Sequence, residues 1–477
     1  MEIDRRGLLG LSAVALALGA AACDTSRSPS GASGAGRRSV LLVIADDHGS
    51  DMSSLGVPVR TPELDKLAQE GTFFTEGYAT VSSCSSSRST MFTGLYSHTN
   101  GMYGLAHDVH NFSLLDGVET ISEMMQRSGF ATALVGKKHV KPMAFGAELA
   151  PEETGNRDVA RLARAAGGWL REQAGKPFLL VVGFSDPHRA PGGFGNTRDW
   201  PEVPTVRYAP SEVQIPSHLP DLPQVREDLA DYYQSVSRMD AGVGLLLDEL
   251  KKAGREDDTL VVYLSDNGRP FPGAKDALYA EGIHLPLIIR APGLGKPGVR
   301  NRAMVSWIDI APTLLDWAGV RPSADYRYKL PGRSLLPILG QEDPAGWDRI
   351  FATHSFHEVN QYYPMRAVRT RQYSYYRNLE PHLSFDIASD MAEGPSWKAI
   401  SSTPGAKLGQ RSVESFLRRP PEELYDLAAD PLELTNLVDR PERADALADL
   451  REQLDTWRKE TRDPWMAGVT DPFGHAH

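Results

Sequence analysis

The 477-residue sequence predicts an α/β fold: a large, mainly parallel sheet sandwiched by helices, followed by a smaller α+β part carrying an antiparallel sheet. Three observations predict it. Continuous apolar runs of strand length alternate with helical stretches, which is how strands buried on both faces read. Several of those runs end in charged or amide side chains. After about Trp347 the pattern changes to shorter, more aromatic, alternating segments.

The chain opens with Arg5-Arg6, an apolar run from about Leu8 to Ala22, and the tripeptide Ala20-Ala21-Ala22 before Cys23. The run is short for a membrane span and fits a signal-peptide core over residues 1–23. The paired arginines suggest the twin-arginine export route. Small residues leading into a cysteine resemble a bacterial lipobox, which makes Cys23 the expected lipidation site and the cell envelope the expected location. Residues 24–36 are rich in Ser, Gly and Ala and read as a flexible linker. Folded structure is expected over 37–347 and 348–477.

In order, the expected strands are Val40–Ala45, Thr132–Val135, Phe178–Gly183, Thr259–Leu264 and Leu285–Ile289. A helix is expected from Thr61, with Thr61 as N-cap and Pro62 in the first turn. Further helices are expected over 157–173 and over 227–254, the second ending at a glycine. Met365–Arg369 and Tyr373–Tyr376 belong to the C-terminal antiparallel sheet.

Composition narrows the function. Aromatic residues at 8% and charged residues at 24% describe an ordinary globular protein, and a formal net charge of −11 argues against nucleic acid and against general attraction to polyanions. An anionic substrate then needs a locally positive pocket. Two cysteines, Cys23 and Cys84, are too few for a disulfide framework or a thiolate zinc site.

The polar strand ends are Asp46-Asp47, Lys137 with His139, Asp186 with His188, and Asp266-Asn267. In an open parallel sheet such ends share one edge, where ligands bind. Singly, each reads as a turn; four together are harder to explain that way. Asp46, Asp47, Asp266 and Asn267 offer hard oxygen ligands suited to calcium or magnesium, and calcium accepts the looser geometry. Lys137, Lys275, His139 and His188 supply positive charge and donors for an anion, as phosphoryl or sulfuryl transfer requires.

Cys84 stands in Ser83-Cys-Ser-Ser-Ser-Arg88-Ser-Thr-Met-Phe-Thr-Gly94, a set of small hydroxyl residues that suggests a nucleophile at a helix N-terminus. Cys84-x-x-Ser87-Arg88 followed by Thr93-Gly94 resembles the sulfatase signature, in which the cysteine is oxidised to formylglycine. The stations Asp46-Asp47, Gly136-Lys137-Lys138-His139, Asp186-Pro187-His188 and Asp266-Asn267-Gly268 follow that family's order. Within it, the stretches Asn100–Leu105, Asp108–His110, Asp186–Arg189, Pro270–Pro272, His357–Val359, Tyr363–Arg366 and Asp463–Trp465 look most like the N-sulfoglucosamine sulfohydrolases.

The resemblance implies an alkaline-phosphatase-like fold and a sulfatase acting on a sulfated sugar, the N-sulfate of glucosamine in heparan-type saccharides. Asp46, Asp47, Asp266, Asn267 and the modified Cys84 would hold calcium. Arg88, Lys137 and His139 would hold the formylglycine hydrate, and His188 and Lys275 would bind sulfate, one of them protonating the leaving group. His357, Glu358 and Arg366 are the expected sugar-pocket residues, with a polar interdomain contact as their alternative. The resemblance also implies a formylglycine-generating enzyme as maturation partner and suggests a homodimer. The third signature position, usually Pro or Ala, is Ser86 here, and the maturation enzyme reads that position. Rival readings are an O-sulfatase, a phosphonate or phosphate-ester hydrolase, and a non-catalytic lipid-anchored glycan-binding protein in which Cys84 stays a thiol.

Overall fold

A computed structural model describes residues 38–150, 157–200 and 202–467. Cys23, the paired arginines and the 24–36 linker lie outside the described residues. Among the described residues no helix is long and apolar enough to cross a membrane.

The main sheet is built from β1 (Ser39–Ala45), β2 (Thr72–Tyr78), β3 (Ala131–Gly136), β4 (Ala147–Leu149), β5 (Phe178–Gly183), β6 (Thr259–Ser265), β7 (Leu287–Arg290) and β8 (Val299–Ser306). Its order is β4-β3-β5-β1-β6-β7-β2-β8. Every pairing is parallel except the two made by β7. β7 starts after Pro286, two residues later than the apolar run suggests, because proline offers no N–H to the ladder.

β1 shows why its sequence is apolar throughout. Val40, Leu42 and Ile44 join a core with Met91, Phe92, Ile121 and Leu314 on one face. Leu41, Val43 and Ala45 join Leu64, Leu162, Met239 and Val243 on the other. All six strand side chains are fully buried, each large aliphatic one contributing about 1.5–3 kcal/mol.

The helix Pro62–Glu70 begins where its sequence signal lies, but Thr61 does not cap it with its side chain. Thr61 Oγ1 accepts from Ser53 N–H at 2.9 Å. The Asp240 carboxylate, from the long helix Pro223–Lys252, instead accepts from Glu63 and Leu64 N–H at 3.2 and 2.8 Å. The cap is tertiary, so local spacing could not reveal it.

The second sheet is antiparallel, in the order β14-β11-β10-β9, formed by β9 (Arg349–Phe356), β10 (Tyr362–Thr370), β11 (Tyr373–Asn378) and β14 (Glu422–Asp426). A two-residue hairpin, β12 (Lys407–Leu408) and β13 (Arg411–Ser412), lies between β11 and β14 in the chain. The helix Ala444–Glu460 packs Leu447, Leu450, Leu454 and Trp457 against Val368, Tyr375 and Leu424 of this sheet. Thr353 N–H of β9 donates to Thr80 O at 2.8 Å, tying the second sheet to the segment that leads into Cys84.

Candidate active site

β3, β5, β1 and β6 are consecutive neighbours in the sheet, so their carboxyl ends place Lys137 and His139, His188, Asp46 and Asp47, and Asp266 and Asn267 along one edge. The edge is tightly made. Gly136 has φ +84°, and a Cβ there would lie 2.3 Å from Gly183 O; a Cβ on Gly183 would lie 2.2 Å from Lys137 O. Side chains are therefore excluded at both strand ends, and Arg88 Nη1 reaches Lys137 O at 3.2 Å. Asp47 (φ 63°) and His139 (φ 61°) adopt left-handed backbone, a cost typical of sites whose surroundings fix them.

Cys84 is the first residue of the helix Cys84–Thr93, in which every residue is buried. Ser83, at the N-cap, makes no cap bond, and its hydroxyl pairs with His357 Nδ1 at 2.9 Å. The helix N-terminus is thus left to act on an anion. Cys84 Sγ lies 3.8 Å from Asp47 Oδ1. Burial pushes its thiol well above the ordinary value; Lys275 opposes this, and Asp46, Asp47 and Asp266 add to it.

Cations and carboxylates interlock around the sulfur. Lys137 Nζ donates to Asp46 Oδ2 at 2.5 Å, Arg88 Nε to Asp266 Oδ2 at 2.7 Å, and Lys275 Nζ to Asp47 Oδ2 at 3.0 Å. Asn267 Nδ2 donates to Asp47 Oδ1 at 2.6 Å. Burial opposes ionisation of Asp46, but Lys137, His188, Arg88 and Lys275 outweigh it and hold the carboxyl well below the usual range. Asp47 is pushed up to about 7 by burial, against Lys275 and with the help of Asp46, Asp390 and Asp266. Asp266 rises to about 6 through burial and Asp46, against Arg88 and Lys137.

The residues fit a hard divalent cation. Asp46, Asp47 and Asp266 bring carboxylate oxygens within 4.8 Å of one another. Asp46 Oδ1 and Asn267 Oδ1 are buried acceptors with no hydrogen-bond donor. A cation among them would satisfy both orphaned oxygens and relieve the crowding of like charge that raises Asp47 and Asp266.

The family model described as "Sulfatase" matches residues 38–320, more than half of the chain. The chain belongs to the sulfatase family. A second family model, "N-sulphoglucosamine sulphohydrolase, C-terminal", matches residues 274–404 of this sulfatase. The human N-sulphoglucosamine sulphohydrolase is 38% identical over 464 residues, covering 90% of this chain and 91% of its own. An ulvan-active sulfatase of Formosa agariphila is 26% identical, covering 88% and 74% of the two chains.

Among solved structures, a protein in complex with its substrate D-glucosamine-2-N,6-O-disulfate superposes with a TM-score of 0.64 at 22% identity, covering 90% of this chain and 98% of that one. A phosphonate monoester hydrolase of Agrobacterium radiobacter gives 0.67 at 24%, covering 92% and 99%. At these identities the two superpositions speak for the fold. The sulfatase is a hydrolase of the N-sulfoglucosamine sulfohydrolase type.

The remaining residues singled out in the sequence fall in different places. His357 borders the site: it is buried and pairs with Ser83 and, at 2.8 Å, with Asp276 Oδ1. Burial opposes its protonation, but Asp276 prevails and raises its pKa. Glu358 is half-buried and accepts from Ser389 N–H at 3.1 Å. Arg366 is elsewhere. It is fully buried, its Nε and Nη2 each donate to Asp463 at 2.9 Å, and its Nη1 donates to the carbonyls of His354 and Met365. Nε and Nη2 thus tie β10 to the C-terminal segment while Nη1 bonds within the sheet, an arrangement that matches the polar-contact alternative for Arg366.

Two site residues escaped the sequence reading. Asp390, from the four-residue helix Ser389–Ala392, accepts from Lys275 Nζ at 2.6 Å and lies 3.6 Å from His188 Nε2. His107 stacks on His139 with ring centroids 4.6 Å apart and an 8° interplanar angle. Neither stands in a motif with spacing of its own.

Proposed function

We propose that this sulfatase hydrolyses the N-sulfate of glucosamine residues in heparan- or heparin-type saccharides, using formylglycine made from Cys84 and a calcium ion. The observation that carries the reading is Cys84 at the start of a buried helix, 3.8 Å from a carboxylate cluster with orphaned oxygens, in a chain 38% identical to an N-sulphoglucosamine sulphohydrolase. Asp46, Asp47, Asp266 and Asn267 are the residues that would hold calcium, which when bound stabilises negative charge developing on oxygen. Formylglycine supplies, as its hydrate, two hydroxyls on one carbon, one to attack sulfur and one whose deprotonation releases sulfate.

The side chains divide the remaining work. Burial opposes protonation of Lys275, but Asp390 and Asp47 outweigh it and keep the ammonium charged, a fixed donor for a sulfate oxygen. Burial and Lys275 hold His188 well below the ordinary imidazole value. His188 Nε2, 3.6 Å from Asp390 and neutral, is left to hydrogen-bond the sulfate, and the charged Lys275 is the group that carries a proton for the departing nitrogen. A sulfamate leaves as an amine, so this protonation matters more than for a sulfate ester. Arg88 and Lys137 fix the orientation of Asp266 and Asp46.

Export through the twin-arginine route and lipidation at Cys23 remain part of this proposal, carried by the order of charge, apolar run and small residues before Cys23. The test is to purify the protein from its native host, weigh the tryptic peptide spanning residue 84, and compare turnover of N-sulfoglucosamine, O-sulfated glucosamines and a phosphonate monoester. Formylglycine at 84 with preference for the sulfamate is expected. An unmodified thiol in folded protein, or faster turnover of an O-sulfate or phosphonate, sinks the reading.

A further inference from the structure

Two cavities flank the catalytic edge, one behind His139 and one beside His188, and their charges are opposite. The cavity on the His188 side, about 500 Å³, is lined by four acids, of which Asp228 is paired with Arg189 and Asp390 with Lys275, leaving Asp231 and Glu393 without a cationic partner among the described residues. The cavity on the His139 side, about 370 Å³, is lined among the described residues by His107, Lys138, His139, Lys141 and a single acid, Glu148. Both are within the size range of small-ligand sites.

A saccharide carrying carboxylates or sulfates is repelled by the first and drawn to the second. In the second, Lys138 Nζ donates to Glu148 at 2.8 Å and to Met143 O at 3.2 Å, so its charge is largely answered. Among the described residues Lys141 Nζ meets only a neutral acceptor, Asn111 Oδ1 at 2.7 Å, and its charge is unmatched there. His139 Nδ1 is buried and has no hydrogen-bond partner. The cavity is also close to the nucleophile, since Ala106, part of its wall, donates its N–H to Ser85 Oγ at 3.0 Å, next to Cys84.

We propose that the cavity behind His139 is a subsite for an acidic sugar, a uronate whose carboxylate pairs with Lys141, joined to the residue being desulfated. The saccharide chain then leaves the site on the His139 side, and the acidic His188 side receives no acidic continuation. This inference rests on the function proposed above.

The test compares kcat/KM for N-sulfoglucosamine with that for a disaccharide in which it is linked to a uronate. The disaccharide is expected to be preferred, and reducing the uronate carboxyl to an alcohol is expected to remove the preference. Lys141→Ala should lower the disaccharide-to-monosaccharide ratio about tenfold, the range of a hydrogen bond to a charged group. Glu148→Gln, which frees Lys138, should raise it. No preference in the wild-type protein, or a ratio unmoved by both variants, overturns the subsite. Calorimetric binding of the amine product, glucosaminyl-uronate, separates this outcome from failure of the functional reading. Lys141-dependent binding without hydrolysis of N-sulfoglucosamine refutes the reaction and keeps the subsite, and binding indifferent to Lys141 refutes the subsite.

Discussion

The catalytic edge and the Arg366–Asp463 strap are both buried clusters of charge, yet they are built on opposite plans. At the strap every guanidinium nitrogen of Arg366 has an acceptor, and Arg458 Nε adds a further bond to Asp463 at 2.7 Å. At the edge, oxygens of Asp46 and Asn267 and a nitrogen of Arg88 go without hydrogen-bond partners. Burial opposes ionisation of Asp463, but Arg366, His98 and Arg458 hold its carboxyl below the usual range, whereas Asp47 and Asp266 are pushed up to about 7 and about 6. Completed pairing marks a structural cluster, and withheld pairing marks one waiting for a ligand.

The sharpest way to break this contrast is Cys84→Ala. Turnover should fall on the order of 10⁶-fold, as when a nucleophile is removed, while the melting temperature stays close to that of the parent. A large loss of stability would mean that the edge is as structural as the strap.

Arg366→Ala should do the reverse. Orphaning Asp463 is expected to cost about 3–5 kcal/mol in denaturant unfolding, with activity per folded molecule retained at low temperature. Loss of kcat in fully folded variant would return Arg366 to the site. Acid should weaken the strap in the same way: Asp463's contribution is full above the ordinary carboxylate pKa and is lost as pH falls toward its depressed folded value.

Asp47→Asn should separate the two plans by pH. In calcium-free protein Asp47 binds a proton between its ordinary value of 3.8 and about 7, where the unfolded chain does not. Its contribution to stability therefore falls as pH rises through that window. The variant, spared this, should gain on the parent from pH 4 to 7 by about 3 kcal/mol, while saturating calcium should favour the parent. Thermal melts across pH, with and without calcium, read both signs.

Ser86→Ala is the smallest effect. Ser86 Oγ is buried without a partner, so its removal should be neutral or stabilising by up to about 1 kcal/mol. Peptide mass should show conversion of Cys84 at least equal to that of the parent.

Much of this was legible in the sequence, for a physical reason. Strands buried on both faces leave continuous apolar runs, so β1, β3, β5 and β6 stood out, and with them the four polar ends that form the edge. β8 was not legible, because its first half alternates between buried and exposed residues and carries two arginines. β2, with Glu76 and Gly77 in its second half, was missed for a similar want of apolar continuity. Asp390 escaped because a lone aspartate on one short helical turn acquires meaning only when Lys275 arrives from 115 residues away. For Arg366 the sequence leaves both a sugar contact and a polar contact open, because the partner that distinguishes them, Asp463, lies 97 residues on.

Cys84 is 1% exposed, on a helix whose every residue is buried. In the docked helix the thiol is out of contact with solvent, and burial also keeps it protonated. On the function proposed above, conversion of Cys84 would therefore belong to the interval before the chain closes around it. The active fraction would then be decided at birth: a molecule that folded first would carry its thiol for the rest of its life, whatever the supply of maturation enzyme afterwards.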